Sequence, residues 1–166
     1  MSETKPVRYA GRGFWAYDVS LGVLTKHLLD AAEKSGEAHA PWLSEAMSQW
    51  RQWDVISAVG LKFDEPGSAE QRKTVIALMG QACTALGTRR SIPVDEIVSW
   101  PFADDVRIFP RAAKEVLTAP VIELGCAMIA LLSGQLPEAP KGKAWFFGVP
   151  DGDSTIEMDP SWDGRW

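Results

Sequence analysis

The chain has 166 residues, 46% of them hydrophobic and 23% charged, a balance that suits one globular domain over 1–166 with a substantial core. A formal charge of −5 and a pI near 5.1 argue against nucleic acid as a partner, since broad phosphate binding needs clustered Lys and Arg, and leave a basic protein partner or ordinary solubility as readings of the acidity. The opening MSETKPVRYAGRGFWAYDVS lacks the unbroken apolar run of a signal peptide, and Cys83 and Cys126 make neither a secreted disulfide framework nor a zinc set, so a cytoplasmic chain is expected.

In chain order, Val7 to Tyr17 carries Tyr9, Phe14, Trp15 and Tyr17 between glycines and reads as a loop or short strand that lays rings on the core. Asp18 or Ser20 can cap a first helix ending before Gly36, with Leu21, Leu24, Leu28, Ala31 and Ala32 as its apolar stripe. His27 at the edge of that stripe has no partner at metal-ligand spacing and reads as a hydrogen-bonded boundary residue. Pro41 starts a second helix to about Val59, rich in tryptophan, whose rings either fill an interhelical groove or anchor a partner. A brief extended segment is expected at Leu61 to Phe63. Ser68 followed by Gln71 is a capping-box pattern that starts a third helix, closed at Gly87, with Arg89 and Arg90 complementing its dipole. Ser91 can cap a short fourth helix up to Trp100, with Pro93 in its first turn, and Pro110 opens a further short helix through Leu117.

The stretch from Thr118 to Leu136 is the apparent organiser. Between Pro120 and Ser133 only Glu123 is charged, so a helix over 119–133 is expected to be wrapped by others, capped by Thr118 and ended at Gly134. At about 14 residues it is short of the roughly 20 that cross a bilayer, so no membrane role is expected. Both cysteines fall in apolar helical patterns and read as buried thiols, their pairing left open. Ala144 to Val149 and Thr155 to Met158 are extended runs joined by PDGDS, a small β-hairpin whose rings must pack on the helices or on another strand such as 7–14. The acidic, aromatic tail 159–166 either docks back or is loose. The fold class expected is therefore mainly α, of the α+β kind: about five helices around the buried helix, with a C-terminal hairpin.

For chemistry, Asp104 and Asp105 invite an acid–base reading, yet adjacent residues point different ways, and Arg107 and Arg111 are near enough to neutralise them. No Gly-rich phosphate loop, HExxH, CxxC or nucleophile elbow is present, and no catalytic residue, metal ligand or cofactor is assigned. The profile of size, acidity, helical composition and missing catalytic motif resembles that of bacterial immunity proteins, which block a cognate toxin. The resemblance implies a stoichiometric inhibitor, monomer or homodimer, occluding a basic toxin through Trp100, Phe102, Asp104, Asp105, Asp151, Asp153 and Trp162. The competing readings are a small enzyme with a cleft between helices and hairpin, using some of Asp18, His27, Asp104, Asp105, Arg107 or Glu123, and a helical scaffold or self-assembly subunit.

Overall fold

A computed structural model describes residues 4–53, 61–62, 68–101, 114–152, 154–162 and 166. The chain opens with two strands, β1 (Thr4–Tyr9) and β2 (Arg12–Tyr17), paired antiparallel with Val7 opposite Phe14. The turn between them has positive φ at both Ala10 (49°) and Gly11 (72°), the backbone that matches the right-handed twist of a tight hairpin. Alternation then puts Val7, Phe14 and Ala16 on the buried face, all fully buried, and Pro6 and Trp15 on the other. The 7–17 stretch is thus a hairpin and the centre of a sheet.

The helix α1 (Asp18–Lys34) follows directly, with Tyr17 as its N-cap and Asp18 accepting from the Val19 N–H; Ser20, expected as an alternative cap, instead donates its hydroxyl to the Gly148 carbonyl at 2.6 Å. Helix α2 (Pro41–Trp53) comes next, and the rest of the expected helix to Val59 lies outside the described residues. A short β3 (Leu61–Lys62) runs parallel to β1. Helix α3 (Ala69–Leu86) starts where Ser68 accepts from the Gln71 N–H, as the capping pattern predicts, and ends at Gly87.

Two expectations in the next stretch fail. Ser91 caps no helix: Ser91–Pro93 is a strand, β4, and Pro93 is the N-cap of α4 (Val94–Ser99). Glu115–Leu117, expected at the end of a short helix from Pro110, is a strand, β5, paired antiparallel with β4; residues 102–113 lie outside the described residues. The β-branched Ile92 and Val116 sit opposite one another and are buried, so pairing across the ladder overrides the local helix signals.

Helix α5 (Thr118–Leu132) is as long as expected and gives way to Gly134 at φ +71°, but Leu117, not Thr118, is its N-cap. The Thr118 hydroxyl donates to the carbonyls of Arg89 and Arg90, tying the start of α5 to the end of α3. Its burial is one-sided: Val121, Leu124 and Met128 are fully buried, whereas Glu123 and Cys126 are exposed. Burial on every side belongs to the first half of α1, where each residue from Val19 to Thr25 is buried and the helix packs against α2, α3, α5 and β2. Small or hydrogen-bonded residues make this feasible: the Thr25 hydroxyl donates to the Leu21 carbonyl, so this buried donor is satisfied.

The expected C-terminal hairpin is present as β6 (Lys143–Phe147) and β7 (Thr155–Glu157). Strand β6 adds parallel to β2, giving a sheet of order β3-β1-β2-β6-β7, and Phe147 meets Phe14 edge to face at 5.2 Å. The architecture is a mixed α+β single chain, five described helices on small sheets. No described helix is long and apolar enough to cross a membrane.

Candidate partner-binding site

A concavity lies where the base of the β6–β7 hairpin, the β1–β2 turn and the segment after α5 converge, a cleft of about 620 Å³. Each wall has a local cause. The tight turn at Ala10–Gly11 delivers Arg12 beneath the end of α5, where its guanidinium donates to the carbonyls of Gly134 and Leu136. A cation there satisfies carbonyls of the segment just beyond α5 and complements the helix dipole. Pro137 and Pro140 cannot continue the helix, and the Pro137 carbonyl accepts from Trp145 Nε1 at 2.8 Å, fixing that indole as one wall.

The opposite wall comes from the chain after β7. The Asp159 carboxylate accepts from the backbone N–H and the hydroxyl of Ser161, and the Asp159 carbonyl accepts from the Trp162 N–H at 2.8 Å, a local turn that presents Trp162 to the cleft. Those bonds, the Ser161 hydroxyl first, hold the Asp159 carboxyl below its ordinary range. Trp166 stands edge-on to Trp162 at 5.7 Å and lies 5.6 Å from Trp15. Its seat depends on Gly13: a Cβ there would come within 2.7 Å of the Trp166 ring and 2.4 Å of the Val7 carbonyl oxygen. Trp166 is therefore docked on the outer face of the sheet. The rim carries both signs, Arg12, Lys141 and Lys143 against Glu138 and Asp159.

Three of the sequence-predicted contacts, Trp100, Asp151 and Trp162, fall among the described residues. Trp162 lines the cleft at the base of the hairpin, while Asp151 is exposed in the connection at its tip. Trp100 ends α4 and is half-buried, its ring edge-on to His27 at 5.8 Å and beneath the Lys26 ammonium at 5.4 Å. Phe102, Asp104, Asp105, Asp153 and Arg107 lie outside the described residues. Arg89, expected to serve the end of α3, makes a two-pronged pair with Glu96 in the first turn of α4, at 2.6 and 2.7 Å. His27 Nδ1 donates to the Val23 carbonyl at 2.9 Å, and burial pulls its pKa below the ordinary value despite that bond. It sits nine positions from Asp18, on the other side of α1, and neither they nor the exposed Glu123 line the cleft. Among the described residues no three of His, Cys, Asp and Glu gather as metal ligands.

Sequence reasoning missed Arg12, Trp145 and Trp166 as cleft residues. The two tryptophans share one signal, the density of aromatic residues and prolines in the last 30 or so positions, which announces rings needing partners but not which rings meet; Arg12 carried no such signal. No family model, curated protein or solved structure matches the chain.

Proposed function

We propose that this chain acts by binding another protein, as a cytoplasmic immunity protein that occludes a cognate bacterial toxin, with the tryptophan-walled cleft at the centre of contact. The observation that carries the reading is the wall itself: Trp145, Trp162 and Trp166 border one cavity, alongside the pinned Arg12. Trp and Arg are the residue types that dominate interface energetics, and indoles fixed by hydrogen bonds and neighbouring rings lose little freedom when a partner arrives. The mixed rim supplies polar contacts around an apolar centre, and the net charge of −5 favours fast encounter with a basic partner. The segment bearing Trp100, Phe102, Asp104 and Asp105, and the hairpin tip with Asp151 and Asp153, are proposed as secondary contacts.

Of the residues on which the enzyme reading draws, the three described ones, Asp18, His27 and Glu123, are all outside the cleft. A tagged chain expressed in its native organism should retain one basic protein at one-to-one stoichiometry, identified by mass spectrometry, and should protect against that protein's toxicity. Recovery of the chain alone, with the partner known to be expressed, contradicts the reading. Replacing Trp100, Asp104 and Asp105 together by alanine with no change in affinity removes that segment from the interface.

A further inference from the structure

Helices α3 and α5 run antiparallel, and their register can be followed turn by turn. At one end Thr118 N donates to the Arg90 carbonyl at 3.0 Å. About one turn along, a Cβ at Gly87 would lie 4.0 Å from Ile122 Cδ1. A further turn on each helix, four residues back from Gly87 and four on from Ile122, brings Cys83 opposite Cys126. The glycine before Cys126 confirms how close the seam is there: a Cβ at Gly125 would come within 2.3 Å of Cys83 Sγ. Both cysteines are free thiols, Cys83 half-buried in the seam and Cys126 exposed at its edge, against the expectation that both are buried.

We propose that Cys83 and Cys126 form a dithiol site that closes to an intramolecular disulfide on reaction with a low-molecular-weight disulfide such as oxidised glutathione. Exposure decides the order. The Cys126 thiolate attacks one sulfur of the small disulfide, whose S–S bond breaks and releases one small thiolate, leaving a mixed disulfide on Cys126. The Cys83 thiolate then attacks the Cys126 sulfur, the mixed S–S bond breaks, and the second small thiolate leaves. The two cysteine protons go by way of solvent to the two released thiolates, so the protein is oxidised by two electrons and the small disulfide is reduced to two thiols. Bridging requires Cα atoms about 4.4–6.8 Å apart, a separation reached between packed helices only where a residue as small as Gly125 lies in the seam.

The second step is the slow one. Burial, then the neighbouring Cys126, pushes the Cys83 thiol up to about 11, so little of it is thiolate near neutrality. Below that value, closure should accelerate by roughly tenfold for each unit that the pH rises.

The test is to incubate the full chain with oxidised glutathione at neutral pH and about one unit higher, quench with acid and weigh it. The expected product is a monomer lighter by two hydrogen atoms, with a tryptic cross-link between the Cys83 and Cys126 peptides, formed roughly tenfold faster at the higher pH. Cys83→Ser should stall as a glutathione adduct on Cys126. A wild-type adduct that never resolves, a dimer linked through Cys126, or two thiols that stay unreacted would each overturn the proposal, and the wild-type result decides even if the serine variant folds poorly.

Discussion

Trp50 and Trp162 are the same residue type in opposite situations. In the helical layer Trp50 is 3% exposed and belongs to the hydrophobic core. At the hairpin base, Trp145, Trp162 and Trp166 are half-buried around a cavity, each held by a neighbour but none covered on its cleft side. The difference lies in what surrounds the ring. Where the core closes over the ring, an indole is filler and its removal should damage folding. Where the chain leaves one side open, an indole is a wall and its removal should spare the fold and damage binding.

That contrast can be broken by mutation. The largest effect is expected at Leu24, fully buried in α1 and close enough to Gly125 that a Cβ there would sit 3.3 Å from its Cδ1. Leu24→Ala removes contacts on several sides and should cost about 3 kcal/mol, read as a shift in the urea midpoint with unchanged slope. A loss under about 1 kcal/mol would mean that the surrounding helices collapse freely onto the space.

Gly13→Ala comes next. The new methyl meets a backbone carbonyl as well as the Trp166 ring, and backbone cannot rotate away, so about 2 kcal/mol of stability should be lost. Trp166 should also become accessible to a fluorescence quencher. Full stability with Trp166 still shielded would show that the ring is not seated on residue 13. Smaller still, Trp162→Ala should cost about 1 kcal/mol or less of folding stability by thermal melting, because its cleft side is already open.

The smallest effect is a pH dependence. The folded protein depresses the pKa of His27 below its ordinary 6.5, chiefly by burial, so the unfolded chain binds its proton first. Stability from this group is fully present above pH 6.5 and is lost as pH falls from there through the folded pKa. His27→Gln should flatten melting temperature against pH over that window. An unchanged slope would place the dependence elsewhere.

Much of the helical layer was legible in the sequence. Ser68 and Gln71 announced the start of α3, and strand formers around PDGDS announced the last hairpin, because these signals are local. The first hairpin was missed because its turn is Ala10–Gly11: alanine rarely takes positive φ, so the usual Asn-Gly or Asp-Gly cue was absent. Strands β4 and β5 were misread for a different reason. Ser91, Pro93 and Thr118 are good helix-start residues, but their roles here are set by pairing between segments more than 20 positions apart, which periodicity cannot see. The all-round burial of α1 was hidden because Lys26 and Asp30, an ion pair at 2.6 Å in its second half, dilute the apolar first half. Trp162 was singled out from the acidic, aromatic tail, yet the cleft it lines could not be, since that cavity is assembled from four separate stretches.

The central claim is that the partner is held at the tryptophan-walled cleft. Calorimetric titration of the captured partner against wild type and Trp162→Ala, both verified as folded, tests it most directly. Wild type should bind one-to-one and the variant about 30-fold more weakly, equivalent to about 2 kcal/mol. Equal affinities in the two proteins would contradict the claim and move the interface away from the hairpin base.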